Sequence, residues 1–187
     1  MGLLLVACAR AEQESTPALP QEPLAFWEQL QALCGNAYAG SVAESVPPDS
    51  AMLASTLQMH VRECSADTIR IPFHVGDNRS RTWVITRTAT GLRLKHDHRH
   101  EDGTADSVTQ YGGDTAVPGS ASTQEFHADS VTGALIPAAR TNIWTMELLP
   151  GVRFSYALRR EGTERRFRAN FDLAQPVAAP PPPWGAK

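Results

Sequence analysis

A chain of 187 residues is long enough for one domain with flanking segments, and a hydrophobic content of 42 % supports a real core, which excludes wholesale disorder. A formal net charge of −3 gives no sign of a nucleic-acid footprint, which would need clustered Lys and Arg on one face, and no apolar run approaches the roughly 18–20 residues of a membrane-spanning helix. The late arginines (Arg159, Arg160, Arg165, Arg166 and Arg168) mostly alternate with apolar residues and read as a solvated strand face.

At the N-terminus, Leu5-Val6-Ala7-Cys8 resembles the lipobox of bacterial lipoproteins. That resemblance implies a diacylglycerol on the Cys8 sulfur and attachment to a membrane of the bacterial cell envelope. Ala9, standing where an Asp would retain a lipoprotein in the inner membrane, implies the outer membrane, facing the periplasm. Residues 1–8 lack a basic leader and their apolar stretch is short, so we expect a truncated signal segment with the true start codon upstream. Residues 9–22 are polar, carry Pro17 and Pro20, and are expected to form a flexible tether. With Cys8 acylated, Cys34 and Cys64 are the pair left over. An oxidising compartment would join them, closing a loop that stabilises the fold by roughly 3–4 kcal/mol; a reducing one would leave two buried thiols.

The first predicted element is a short amphipathic helix. Pro23 suits its start, and Phe26, Trp27, Leu30, Leu33 and Cys34 fall on one stripe before Gly35 ends it. Beyond Gly35 the period changes to two. Leu57, Met59 and Val61 alternate with polar residues, as do Ile69, Ile71, Phe73 and Val75. Trp83 and Ile85 lie in a β-branched segment; Phe154, Tyr156 and Leu158, then Phe167, Ala169, Phe171 and Leu173, continue the pattern. Turn signals at Gly76-Asp77-Asn78, Ala89-Thr90-Gly91, Pro150-Gly151 and Glu161-Gly162-Thr163 separate nine or ten candidate strands. Pro72 marks an edge or a bulge. The prediction is therefore an all-β domain over residues 23–174, an antiparallel up-and-down β-barrel or a sandwich with a short N-terminal helix. In layout it resembles the calycin group of lipocalins and fatty-acid-binding proteins.

The stretch from Leu92 to Gly103 carries the chemistry. Alternation puts Leu92, Leu94, His96, His98 and His100 on one face, and the leucines mark that face as inward. His96 and His98 would then be about 6.6 Å apart at Cα, close enough to share a divalent transition metal at roughly 2.0–2.1 Å from each ring, while His100 stands about 13 Å from His96. His60, His74 and His127 are the candidate third ligands, although alternation places His60 and His74 on polar faces. The alternatives are a polar lining of a ligand cavity by His96, His98 and His100, histidines hydrogen-bonded to neighbouring carboxylates, or a solvated strand end. Glu101 to Asp106 reads as a turn without the spacing of a calcium loop, and Tyr111-Gly112-Gly113-Asp114 as another loop. No nucleotide-binding or hydrolase motif stands out, which leaves catalysis open.

Arg81-Thr82-Trp83-Val84, the run from Leu94 to Gly103, Leu158-Arg159-Arg160 and Phe171-Asp172-Leu173 together resemble an uncharacterised family of bacterial secreted proteins and lipoproteins. The resemblance covers roughly Phe26 to Leu173. It implies export and a single domain, and it implies no activity. Residues 175–187 hold four consecutive prolines, Pro180 to Pro183, and are expected to be a disordered tail, either a docking peptide for a Pro-binding module or a solvated end. Three functions remain in competition: an envelope module binding a small ligand, a metal-binding protein or metal-dependent enzyme using His96 and His98, and an envelope interaction protein without a small ligand.

Overall fold

The computed structural model describes residues 19–186, so Cys8 and the lipobox lie outside the described residues. Helix α1 (Gln21–Gln31) buries Phe26, Trp27 and Leu30. It starts two residues before Pro23, so Gln21 and Glu22 belong to the helix and not to the tether. The first helical turn makes no use of its own N–H groups, which lets Pro23 sit there, and Glu22 complements the positive helix end. Gly35, at φ +86°, turns the chain toward the first strand.

Strand β1 (Ala37–Val46) passes through the single-turn helix α2 (Ser50–Leu53) into β2 (Leu57–His60) and the two-residue β3 (Glu63–Cys64). Hairpins then connect β4 (Thr68–Val75), β5 (Asn78–Arg87) and β6 (Leu92–His98), and a loop leads to β7 (Tyr111–Thr115) and β8 (Thr123–Ala128). After the short helix α3 (Ser130–Leu135) come β9 (Asn142–Leu149), β10 (Arg153–Arg160) and β11 (Arg166–Asp172). Every pairing is antiparallel. The order runs β2-β1-β11-β10-β9-β8-β7-β6-β5-β4-β3, and an additional β2–β4 ladder closes it. Ten strands thus form a closed up-and-down barrel, not a sandwich, with β3 appended to β4. Closure removes the open edges that a sheet of this length would otherwise present.

The closing seam is short. Leu57, Gln58 and Met59 face Val75, His74 and Phe73, whereas β3 meets β4 only at Arg70 and Ile69. Pro72 falls between these two ladders, where no partner on that side asks for its missing N–H. Two further features span the seam region. The Cys34–Cys64 disulfide joins the end of the helix segment to β3. The C-terminal tail, expected to be disordered, runs across the outside of the wall instead. Val177 N–H donates to Ala37 O, Gln58 Nε2 to Ala178 O, Arg79 Nη1 to Pro182 O and Trp184 N–H to Arg79 O. The polyproline stretch has no N–H groups to desolvate, so it can lie flat on the wall while its carbonyls accept from side chains.

Tyr111 to Asp114, read from the sequence as a loop, is strand. Its glycines are there for close approach: a Cβ on Gly113 would lie 1.6 Å from His127 O, and one on Gly112 1.9 Å from Leu94 O. Inside the barrel the core centres on Trp83, which stacks on Phe73 at 4.8 Å and on Tyr156 at 4.4 Å, with Phe154 and Phe171 at its edges. Helix α1 packs against β8 and β9, and Gln29 reaches Ala121 O beside the start of β8, so the helix covers one end of the barrel. Space remains at the other.

Candidate ligand cavity

At the end of the barrel opposite α1 lies a cavity of about 460 Å³. Its floor is aromatic, formed by Phe73, Trp83 and Tyr156. Its wall carries Arg81, His96, His98 and Tyr111, and its mouth carries Arg165, Arg166 and the segment around α2. That segment is held by local bonds. Asp49 caps α2 by accepting from Met52 N–H, and Ser45 Oγ accepts from Asp49 N–H.

Strand register explains how these side chains meet. Phe73, Arg81 and His98 are direct neighbours across β4, β5 and β6, and all three belong to inward-facing positions. One layer deeper, Ile71, Trp83, His96 and Tyr111 are neighbours across four strands. The His96 ring lies flat on the Tyr111 ring at 4.5 Å.

His96 is buried and fully bonded. Its Nδ1 lies 3.1 Å from Tyr111 O, and because a carbonyl can only accept, Nδ1 carries the proton. Its Nε2 is then the acceptor for the Tyr156 hydroxyl at 2.7 Å. Burial pushes the His96 pKa down to about 3, with the nearby His98 and Lys95 adding to the fall and the bond to Tyr111 opposing it. The ring is neutral at any ordinary pH. His98 contacts the Tyr111 hydroxyl at 3.2 Å; burial, then the Arg81 guanidinium, lowers its pKa. Burial raises Tyr111 to about 12 and Tyr156 well above the usual phenol value. The wall is therefore built from neutral hydrogen-bonding groups with one exception. Arg81 carries a charge into this interior, and its Nη1 is buried with no hydrogen-bond partner among the described residues.

The expected site residues divide. His96 and His98 line the cavity. His100 does not: β6 ends at His98, alternation ends with it, and His100 lies exposed on the turn that follows. No group of three or more His, Cys, Asp or Glu side chains among the described residues is arranged to hold a metal ion. His60, His74 and His127 lie outside the cavity lining, and both nitrogens of His96 already have partners. Arg81, Tyr111 and Tyr156 went unnoticed as site residues. The signal for Arg81 was present, since alternation with inward Trp83 and Ile85 puts it inside. Asp97, placed by alternation on a solvated face, is buried and paired with Arg99 and Arg70, next to Trp184 and Gly185 of the tail.

Comparison with protein-family models, with curated proteins and with solved structures gives no match. What stands is a closed antiparallel barrel, and fold by itself does not assign a function.

Proposed function

We propose that this barrel is a binding module for a small molecule, tethered in the bacterial cell envelope through a lipid on Cys8. The observation that carries the binding role is the cavity itself. A volume of about 460 Å³ falls within the range of small-molecule sites. Its stacked aromatic floor and convergent polar wall supply an apolar body and a few orienting groups, the usual makeup of such sites. A barrel needing only stability would fill this end with aliphatic side chains. This one instead holds His98, Tyr111 and Arg81 around open space.

The envelope tether rests on Leu5-Val6-Ala7-Cys8, and the Cys34–Cys64 pair is consistent with an oxidising compartment. No helix among the described residues is long and apolar enough to cross a membrane. The test uses the full-length protein expressed in a Gram-negative host. It should partition with membranes, and Cys8→Ser should release it to the soluble fraction. Native mass spectrometry of the released protein should show a species heavier than the chain, its excess mass lost on organic extraction. A Cys8→Ser protein that stays in the membrane pellet would contradict the tether, and a single chain mass before and after extraction would contradict the binding role.

A further inference from the structure

Resting on that reading of the cavity as a ligand site, we propose that its ligand is an amphipathic carboxylate, seated with the carboxylate on Arg81 and the apolar body against Met52, Leu158 and Phe167 beside the aromatic floor. The protein as a whole is acidic, with a net charge of −3. Its cavity is the reverse. Arg81, Arg165 and Arg166 line it against one carboxylate, Asp49. That carboxylate is committed to the α2 cap through Met52 N–H. The interior cation thus has no counter-charge of its own. Arg81 forms no ion pair among the described residues, and its Nη1 is buried without an acceptor. Arg81 is partly buried at the cavity wall, and an unpaired, partly desolvated cation gains when an anion arrives to neutralise it.

The geometry favours a carboxylate over other anions. A guanidinium presents a planar fork that matches a carboxylate with two parallel hydrogen bonds. Only one such fork stands in the interior. Arg165 and Arg166 belong to the mouth, where the β10–β11 connection enters β11, and Arg166 Nη1 already donates to Thr163 O and Arg165 O. A dianion such as a phosphate monoester would want a second interior cation, and the histidines do not supply one. His96 has its Nδ1–H on Tyr111 O and its Nε2 on Tyr156, so neither nitrogen is open to an anion. His98 flanks Arg81 in register and shares a hydrogen bond with Tyr111, so it can orient the head group as a neutral donor. Below Arg81, the stacked rings of Phe73, Trp83 and Tyr156 close the floor, and the half-buried Met52, Leu158 and Phe167 line the cavity beside them as the apolar surface that the remainder of such a ligand would cover.

Calorimetric titration of the purified protein with matched pairs tests the assignment: 4-phenylbutyrate against 4-phenylbutanol, decanoate against decanol, and 4-phenylbutyl phosphate as the dianion. Each carboxylate should bind at least tenfold more tightly than its alcohol, and more tightly than the phosphate. Arg81→Met, which keeps the length of the side chain and removes the charge, should bring carboxylate and alcohol to equal affinity. Because the wild-type comparison needs no variant, a poorly folded Arg81→Met would not blunt the test. Equal wild-type affinities for carboxylate and alcohol would overturn the anion assignment and leave the cavity a binding site. A preference for the phosphate would overturn the ligand class. Binding of none of these molecules would overturn both this inference and the binding role beneath it.

Discussion

His96 shows how a single side chain couples the cavity to acid stability. In the folded chain the ring is neutral because it is buried between Tyr111 and Tyr156, with its pKa near 3; in the unfolded chain it takes a proton near pH 6.5. The unfolded state therefore binds more protons between these values, and stability falls as pH drops below about 6.5. His74, pushed down to about 4 by burial and then by Arg79 and His60, acts in the same direction. Each histidine contributes a slope of about 1.4 kcal/mol per pH unit in that window. His96→Phe should cost about 1–3 kcal/mol at pH 7.5, because it strands the buried Tyr156 hydroxyl. Its disadvantage should shrink as pH falls toward 4.5, because the variant has one proton fewer to exclude. Denaturant unfolding at a series of pH values checks this. Two parallel stability curves would mean that His96 is not held neutral by the fold.

At the scale of elements, the seam between β2 and β4 closes the wall through only three facing residue pairs. The tail crosses it on the outside, and the buried outward-facing residues His74, Thr82 and Asp97 lie on that side. Ending the chain after Leu173 removes the four tail hydrogen bonds to Ala37, Gln58 and Arg79. Each such bond contributes about 0.5–1.5 kcal/mol, and ordering the tail consumes part of that. Truncation should therefore destabilise the domain by about 1–3 kcal/mol. Amide exchange should quicken at Leu57 to His60, and His74 should titrate closer to pH 6.5. Unchanged exchange in β2 would show that the tail rests on the barrel without supporting it. The tail was illegible in the sequence because its bonds run through backbone carbonyls and depend on which wall it meets. Prolines and alanines carry no pattern that says so. The Gly112-Gly113 strand was missed for a related reason: glycine signals freedom locally, while its use here is a close approach to Leu94 and His127, both remote in sequence.

The closed barrel follows from features that are local. Two-residue alternation, short turns and a run of strands too long to leave open are all visible in the chain, and so is the inward face of Leu92, Leu94, His96 and His98. What alternation cannot reveal is where a strand stops, which put His100 on the wrong side of a turn. Nor does it tell a filled barrel end from an empty one, because volume depends on all ten strands together. The central claim is that the end opposite α1 is an accessible binding cavity. The most direct test is fluorescence titration with N-phenyl-1-naphthylamine, a neutral apolar dye whose binding does not depend on Arg81, in the wild type and in Leu158→Trp, which fills the cavity from its wall. The account predicts saturable enhancement at one site in the wild type and its loss in Leu158→Trp with an unchanged circular dichroism spectrum. No enhancement, or equal enhancement in both proteins, would contradict it.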